Sequence, residues 1–397
     1  MKLHPLEIDF SRHISLQKKH PWIFRDKFKS YTKTFKNGDI IHIKDIQSNR
    51  ETYGIYSESG PVSIRIFHFS NTFNLDTLLI NSIRKRFPLL KETNSLRWIH
   101  GENDGFPGVV IDGHANVLTV MYYSPSLQVY ARFLASKVFK ILSSSSEVID
   151  KPEIIINLQA RRTGEGKTSG TRFWRGNIDK NAEIMIHYDK LNYRIRPFSG
   201  KGGIYNDIRN LRRYLSLHIE LIKNKHILNL FSNNGLLSIY LEKLGASQVT
   251  SLESSNTMLE NHRNNLIISS NKQIISKVDI FQNLKTSLSA LNQKYHMIII
   301  DPPNLTASEK DKEKAKKTYK RLITETLPFL KRDGILIMCS CSNRIKEEDF
   351  MANSISTFKE YHLKYKLLDK LKEEIDHPCN PLFPEGKYFK VHIFRIY

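Results

Sequence analysis

Residues 226–235 read HILNLFSNNG, and this segment gives the clearest indication of the fold. An apolar run that gives way to small polar residues and a glycine predicts a buried strand, a tight loop and then a helix. Further predicted strands and helices alternate at residues 248–253, 256–268, 296–300, 314–330 and 334–342. This alternation predicts an α/β domain from about residue 193, with a mostly parallel sheet that is covered on both faces.

Polar residues follow the predicted strands of this domain, at the strand ends where parallel sheets bind their ligands. The loop at residues 231–235 has neither GxGxxG nor GK[ST], so it favours a nucleoside without pyrophosphate over NAD or ATP. Glu253 ends the next strand, where a carboxylate can accept hydrogen bonds from ribose hydroxyls. Asp279 and Ile280 offer an acid and an apolar surface that suit an adenine ring.

Two further strand ends carry candidate reactive groups. Asp301 is followed by two prolines, which hold the backbone rigid and leave the acid at a defined place. Cys341 follows the next predicted strand and is either a nucleophile or a small buried residue. The segment 309–321 has seven Lys/Arg against three acids, which fits either a phosphate-binding surface or a solvated helix face.

Cysteine spacing argues against a metal site. Cys339, Cys341, His377 and Cys379 could in principle supply ligands, but no CxxC spacing supports zinc. Three cysteines in 397 residues also argue against a disulfide framework and for a reducing compartment.

Net charge and hydropathy limit the kinds of partner that the protein can have. The formal net charge is +21, and the excess is spread along the whole chain. That distribution favours a polyanion such as RNA or DNA, although a lysine-rich composition that serves only solubility is the alternative. No apolar run is long enough for a membrane span and no signal peptide begins the chain, so we expect a cytoplasmic globular protein without a membrane partner.

The first 70 residues predict a small barrel. Alternating residues at 38–43, 53–56 and 63–69 predict short strands. Residues 18–25 interleave cations with aromatic side chains, which suits either core packing or stacking on nucleotides.

The next segment mixes helices with a hairpin. Residues 75–87 and 130–142 predict helices, and apolar runs around Asp112-Gly113, within residues 109–120, predict a hairpin. Residues 161–175 are polar, Gly-rich and basic, and predict a surface loop.

Taken together, these motifs resemble the bacterial 23S ribosomal RNA large-subunit methyltransferase I family, whose members are S-adenosylmethionine-dependent cytosine-C5 methyltransferases. The similar stretches follow the family's order and lie at residues 20–24, 101–112, 203–212, 228–235, 376–378 and 384–386. This sequence departs from the family pattern at Asn206, Ile208, Leu236 and Asn304.

The resemblance implies an organisation and a partner. It implies a PUA-like RNA-binding domain at residues 1–70, a central α+β domain with a β-hairpin at 71–192, and a Rossmann-like methyltransferase domain at 193–397. The implied substrate is 23S ribosomal RNA of the large subunit, and a homodimer is a further expectation.

The resemblance also implies roles at the site. S-adenosylmethionine would be bound by Phe231, Ser232, Asn234, Gly235, Glu253, Asp279, Ile280, Asp207 and Arg209. Cys341 would be the nucleophile that adds to C6 of cytosine, and Asp301 would hydrogen-bond the base.

Two alternatives stay open. One is methyl transfer to another base, either guanine or an exocyclic amine, and the other is a non-catalytic RNA-binding factor of ribosome assembly. Only the cytosine-C5 reaction requires a cysteine at position 341, so Cys341 discriminates among the enzyme hypotheses.

Overall fold

The computed structural model describes residues 2–27, 35–69, 74–158, 170–198, 203–266 and 273–397. The chain forms two compact units, one of Met1–Asn206 with Ile375–Gly386 and one of Asp207–Glu374 with Lys387–Tyr397. The segment 375–386 therefore packs with the first unit, although it follows the α/β region in sequence. The three-domain division at residues 70 and 192 stays a prediction.

The first unit begins with a five-stranded sheet in the order β1-β3-β4-β5-β2. Its strands are β1 (Leu3–Ile8), β2 (Trp22–Phe24), β3 (Ile40–Asp45), β4 (Glu51–Tyr56) and β5 (Val62–His68). The short helix α1 (Ile14–Gln17) joins β1 to β2. Alternate residues of β3, Ile41 and Ile43, are fully buried, whereas all residues of β5 from Val62 to Ile66 are buried. Both strands confirm the predictions from their alternating sequence.

A second sheet of the first unit has the order β10-β9-β8-β7-β6. Its strands are β6 (Ser95–His100), β7 (Val109–His114), β8 (Val117–Tyr122), β9 (Ile154–Asn157) and β10 (Arg172–Arg175). A separate hairpin pairs β11 (Ile184–Tyr188) with β12 (Leu191–Ile195). The helices α2 (Leu75–Arg84) and α3 (Gln128–Ser144) confirm two predicted helices.

The predicted hairpin of residues 109–120 is confirmed, but its turn lies three residues further on, at residues 115–116. Asp112 and Gly113 are inside β7, and the turn falls at Ala115, whose φ is 50°. Asp112 accepts a 2.7 Å hydrogen bond from the Arg97 guanidinium. A side chain at Gly113 would collide with the indole of Trp98, so this glycine serves close packing and not the turn.

The loop predicted at residues 161–175 is wrong at its end. Arg172–Arg175 forms the edge strand β10, which pairs with β9. Residues 161–169 lie outside the described residues. The aromatic residues in the predicted basic stretch 18–25 pack inside the unit, since the Trp22 indole donates to Glu102 at 2.7 Å and its ring lies 4.8 Å from that of Phe383.

The second unit is the α/β layer predicted from the sequence. Its strands are β13 (His226–Leu230), β14 (Gln248–Glu253), β15 (Gln273–Lys277), β16 (Tyr295–Ile300), β17 (Leu330–Ser340), β18 (Tyr365–Leu371) and β19 (Lys390–Ile396). Its helices are α4 (Arg209–Leu217), α5 (Leu236–Lys243), α6 (Asn256–Asn265), α7 (Ile280–Leu291), α8 (Lys312–Thr326) and α9 (Glu347–Glu360).

The strands of the second unit form one seven-stranded sheet in the order β15-β14-β13-β16-β17-β19-β18. The first five are parallel, and β19 and β18 complete the edge in antiparallel pairing. Successive residues of the central strands, such as Ile299 and Ile300, are both fully buried and belong to the cores on opposite faces. Burial on both faces explains why these strands are continuous apolar runs rather than alternating ones.

Candidate functional site

The carboxyl ends of four parallel strands meet at one edge of the large sheet. Leu230 of β13 pairs with Leu252 of β14 and with Ile300 of β16, and Ile300 pairs in turn with Met338 of β17. The residues that follow these strands therefore converge, and they include most of the residues that the sequence predicts for the site.

The loop after β13 is held in an unusual backbone conformation. Phe231 and Asn233 have φ values of 58° and 51°, and Gly235, the residue just before α5, has a φ of 83°. The Gly235 amide donates to the Ser232 carbonyl at 3.0 Å. Non-glycine residues at positive φ cost free energy and cluster at ligand sites, so this loop is typical of a binding site.

Gly235 also touches His262 of α6. A Cβ at Gly235 would lie 2.0 to 2.4 Å from atoms of the His262 ring, so only glycine fits. Burial lowers the pKa of His262 to about 4, with a smaller contribution from Arg263. The imidazole is therefore neutral near pH 7, and neither of its buried ring nitrogens has a hydrogen-bond partner among the described residues.

Glu253 joins the end of β14 to this loop. Its Oε2 accepts from the Asn233 amide at 3.0 Å, and its Oε1 accepts from the amides of Ser254 and Ser255 at 2.8 and 3.0 Å. Each carboxylate oxygen has more than one lone pair, so the side chain is fixed and still able to accept from a ribose hydroxyl.

Asp279 and Ile280 stand at the start of α7. Asp279 caps the helix by accepting from the Phe281 amide at 3.0 Å, and its side chain is exposed, while Ile280 is buried. The rings of Phe231 and Phe281 are 5.2 Å apart and tilted by 45°. An acid beside two partly exposed aromatic rings can bind a purine by stacking and hydrogen bonding.

These features fit a nucleoside cofactor such as S-adenosylmethionine. Ser232 is buried, and its hydroxyl has no hydrogen-bond partner among the described residues. A buried polar atom without a partner costs free energy, which a bound polar ligand would recover. Asn234 is also buried in this loop, and its contact with the cofactor stays a prediction.

The ends of β16 and β17 bring the two predicted catalytic residues together. Asp301 is half-buried, and the Pro302 carbonyl that follows it lies 3.9 Å from the Cys341 Sγ. Cys341 is also half-buried, so its sulfur is not sealed in the core. The structure therefore brings Cys341 close to the segment that begins with Asp301, and the catalytic role of the two residues stays a prediction.

Asn304, which departs from the family pattern, stabilises the corner formed by the loop after β16 and the end of β17. Its Oδ1 accepts from the Thr306 amide at 2.9 Å and from the Ser342 hydroxyl at 2.9 Å. The side chain thus ties the loop after β16 to the residue that follows Cys341. This bond gives Asn304 a structural role in the site.

Cys339 differs from Cys341. It is fully enclosed in the core, and burial raises the pKa of its thiol well above the ordinary value. The negative charges of Asp301 and Asp207 raise that pKa further. Cys339 is therefore an inert packing residue.

The two predicted cofactor residues before α5 have structural contacts in this unit. Asp207 accepts from the Tyr388 hydroxyl at 3.1 Å, and its charge reaches Cys339 near the strand ends. The Arg209 guanidinium is buried 3.9 Å from the Glu374 carboxylate. Their contact with a cofactor stays a prediction.

Two residues near the site were missed from sequence. Tyr319 of α8 is buried, and its pKa is raised by burial and by the charges of Cys341 and Asp301. Lys390 begins β19, and its ammonium reaches the Ser342 carbonyl. A lysine at the start of the apolar run VHIF was the available signal, but the antiparallel edge of the sheet was not predicted.

Helix α8 carries both paired and unpaired cations. Lys312 and Lys320 form ion pairs with Asp349 and Glu360 of α9, whereas Lys314 and Lys317 are exposed and have no ion pair within the described residues. Ion pairs with α9 thus neutralise part of the predicted basic segment. The charges of Lys314 and Lys317 lie three residues apart on one face of the helix.

Neither a metal-binding cluster nor a membrane-spanning helix is found in the residues that the structure describes. These residues contain no group of three or more His, Cys, Asp or Glu side chains that could hold a metal ion. They also contain no helix with the length and hydropathy needed to cross a bilayer.

Comparison with known families defines the class of protein. Residues 8–69 match the PUA-like domain, and residues 212–369 match the methyltransferase small domain. The chain therefore combines an N-terminal PUA-like domain with a Rossmann-like methyltransferase domain, as the sequence predicts.

Relatives of known name extend this result over nearly the whole chain. The ribosomal RNA large subunit methyltransferase I of Alteromonas mediterranea is 26% identical over 394 residues, which cover 96% of each chain. The ribosomal RNA large subunit methyltransferase of Deinococcus radiodurans is 24% identical and covers 97% of this chain and 95% of its own. The predicted resemblance to large-subunit methyltransferase I proteins is confirmed.

Solved structures share the fold. A methyltransferase structure, SMU.776 complexed with SAH, has a TM-score of 0.79 at 18% identity over the full length of both chains. A SAM-dependent methyltransferase from Streptococcus mutans has a TM-score of 0.76, also at 18% identity and full coverage. The match to the methyltransferase small domain and the names of the relatives agree with S-adenosylmethionine as the predicted cofactor.

Proposed function

We propose that this protein is an S-adenosylmethionine-dependent methyltransferase of large-subunit ribosomal RNA that forms 5-methylcytosine in 23S RNA. The observation that carries the proposal is the position of Cys341, whose sulfur lies beside the corner that begins with Asp301. The RNA substrate is supported by the names of the relatives, by the PUA-like domain and by the net charge of +21.

The chemistry of cytosine explains the need for a cysteine. C5 of cytosine is a weak nucleophile, and addition of the Cys341 thiolate to C6 makes C5 enamine-like. S-adenosylmethionine supplies the electrophilic methyl group. Loss of the C5 proton then restores the C5–C6 double bond and expels the Cys341 sulfur.

The other residues of the site bind and orient. Glu253 and the residues of the 231–235 loop hold the ribose and methionine parts of the cofactor, and Asp279 with Ile280 holds the adenine. Asp301 hydrogen-bonds the edge of the cytosine and fixes it over Cys341. The target base must leave its stack to reach this corner, which RNA contacts elsewhere on the protein favour.

Methyl transfer to an exocyclic amine is the second enzyme hypothesis, and one observation weighs against it. That chemistry uses an aromatic residue after the two prolines to stack on the base, and this chain has Asn304 there. The Asn304 amide oxygen already accepts from Thr306 and Ser342. The corner therefore holds loops together instead of offering a stacking surface.

The proposal is tested by incubating the purified protein with isotope-labelled S-adenosylmethionine and 23S RNA from cells that lack this protein. Nucleosides from the digested RNA are then separated and identified by mass spectrometry. We expect label in 5-methylcytosine with the wild type, none with Cys341→Ala, and wild-type levels with Cys379→Ala. Label in methylguanosine or in an N4-methylated cytosine would contradict the C5 reaction.

Cofactor binding separates the enzyme from a non-catalytic RNA-binding factor. We expect calorimetry to show S-adenosylmethionine binding by both the wild type and Cys341→Ala. Absence of binding by the folded wild type would favour the assembly-factor alternative. Association into a homodimer is a separate expectation that light scattering checks.

A further inference from the structure

Lys390 is a buried cation at the end of the central sheet. It begins β19 and pairs with Ser340, the last residue of β17, and only 2% of its surface is exposed. The residues that follow it in β19, such as Val391 and Ile393, are fully buried core residues. Burial of an ammonium group is costly unless polar groups surround it.

The polar partners of Lys390 are backbone carbonyls that flank the site. Its Nζ donates to the Ser342 carbonyl at 2.7 Å and to the Tyr388 carbonyl at 2.9 Å. No carboxylate of the described residues lies within ion-pair distance of this ammonium. One hydrogen bond thus fixes the backbone immediately after Cys341, and the positive charge is left unneutralised by direct contact.

The charges around Lys390 come from four groups. Burial lowers the pKa of Lys390 to about 8, whereas the charges of Glu347 and Cys341 raise it. Lys387 lowers this pKa and Glu373 raises it by smaller amounts. Since attraction between two charges is mutual, the Lys390 ammonium favours the thiolate of Cys341 as much as that thiolate favours the ammonium.

Glu347, the acid with the largest effect on the pKa of Lys390, hydrogen-bonds to His392. Its carboxylate lies 2.5 Å from the His392 Nε2, and that hydrogen bond lowers the pKa of Glu347. Glu347 of α9 is therefore hydrogen-bonded to His392 of β19 and is not a direct partner of the Lys390 ammonium.

We propose that Lys390 is a positioning residue for the reaction: its ammonium holds the backbone that follows Cys341 and supplies the positive charge that favours the Cys341 thiolate. The inference rests on the proposed role of Cys341 as a nucleophile. It adds a residue from the antiparallel edge of the sheet to a site otherwise built at the ends of parallel strands.

The test measures cysteine alkylation of the full-length protein and needs neither RNA nor cofactor. Iodoacetamide forms a bond from Sγ to carbon as iodide leaves, and it reacts with the thiolate. Peptide mass spectrometry follows Cys341 and Cys379 separately as the pH is varied from 6 to 10, and Cys379 serves as the internal reference. The variants are Lys390→Met, which removes the charge at similar length, and Lys390→Arg, which keeps it.

With Lys390→Met we expect the pH midpoint for alkylation of Cys341 to rise by about one unit, which is about tenfold in rate near pH 7. Lys390→Arg should restore most of that reactivity, and Cys379 should be unchanged. An unchanged midpoint for Cys341 in folded Lys390→Met would overturn the inference, whatever the methyl-transfer result.

If Lys390→Met does not fold, Lys390→Gln decides the question, because its amide can still donate to one of the two carbonyls but carries no charge. The Cys341 midpoint should rise as it does for Lys390→Met. A midpoint that stays or falls overturns the inference. Because alkylation is independent of methyl transfer, failure of the proposed function and failure of this inference give different results.

Discussion

The Sγ of Cys341 lies 3.9 Å from the carbonyl oxygen of Pro302, and this contact joins the ends of two neighbouring parallel strands. The pairing of Ile300 with Met338 sets the register that places them side by side. Pro302 has a fixed φ and no amide proton, so the corner is rigid. A shift of one residue in this register would separate Cys341 from Asp301.

Gly235→Ala tests the cofactor loop. The added methyl would meet the His262 ring at about 2 Å and would stand at a φ of 83°. Strain at positive φ and overpacking together should destabilise the protein by about 2–4 kcal/mol and abolish cofactor binding. The measurements are urea unfolding and calorimetry with S-adenosylmethionine.

The control is Gly245→Ala. Gly245 also has positive φ, at 97°, but the nearest atoms to its added methyl are 3.5 Å away. It should lose only about 1–2 kcal/mol and retain cofactor binding. Equal effects of the two variants would contradict a close fit between Gly235 and His262.

Glu253→Gln tests the ribose site. The amide keeps one acceptor oxygen, so it cannot hold the Asn233 amide and the Ser254 and Ser255 amides together. We expect S-adenosylmethionine to bind about ten- to a hundredfold more weakly, as for a lost hydrogen bond to a charged group. Glu260→Gln, at an exposed position of α6, should bind normally; matching affinities would remove Glu253 from the cofactor site.

A double substitution on α8 tests RNA binding. Lys314 and Lys317 are exposed and carry charge that is not paired within the described residues. Replacing both with Gln should make the slope of log affinity against log salt shallower by about 1.5, since each phosphate contact contributes about 0.7–0.9. Filter binding of 23S RNA at several salt concentrations measures the slope.

The matched control for α8 replaces Lys366 and Lys370, exposed lysines of the edge strand β18, with Gln. The two double variants lose the same charge, so general attraction to RNA should fall equally. A salt slope changed to the same extent by both would show that α8 makes no specific phosphate contacts.

The contact between His20 and Glu385 in the first unit predicts a pH effect on stability. Burial alone would lower the pKa of His20, but the hydrogen bond and charge of Glu385 at 3.0 Å raise it. The same bond lowers the pKa of Glu385. The His20 contribution is therefore complete below pH 6.5 and lost as the pH rises through the raised value, and the Glu385 contribution is complete above pH 4.5.

Glu385→Gln should accordingly destabilise most between pH 4.5 and 6.5, by about 0.5 kcal/mol because the partly exposed carboxylate is screened by water. Urea midpoints at pH 6.0 and 8.5 measure the difference, with exposed Glu7→Gln as the control. A deficit that grows from pH 6.0 to 8.5 would show that the pair does not contribute in this way.

Much of the α/β unit could be predicted because its buried strands have a recognisable sequence pattern. Continuous apolar runs such as residues 296–300 are long enough to mark buried parallel strands, and the polar residues after them mark the ligand edge. The antiparallel strand β18 carries charged residues on an exposed edge, so it gives no comparable pattern. Because the antiparallel pairing of β18 with β19 was not predicted, the position of Lys390 at the start of β19 was not predicted either.

The hairpin turn was misplaced for a different reason. Asp112-Gly113 is a strong turn signal on its own, but tertiary contacts decide against it. Arg97 holds Asp112, and the space beside Gly113 is filled by Trp98. Neither contact can be seen from local sequence, because each joins residues more than ten positions apart.

A trapping experiment tests whether Cys341 bonds covalently to cytosine. RNA that contains 5-azacytidine has no proton at position 5 to lose, so the enzyme cannot be expelled after methyl transfer. With labelled S-adenosylmethionine and denaturing electrophoresis, we predict a labelled protein–RNA band for the wild type and Cys379→Ala. Cys341→Ala should give no such band. A band of equal intensity from Cys341→Ala, or methyl transfer to ordinary RNA undiminished in that variant, would contradict the account.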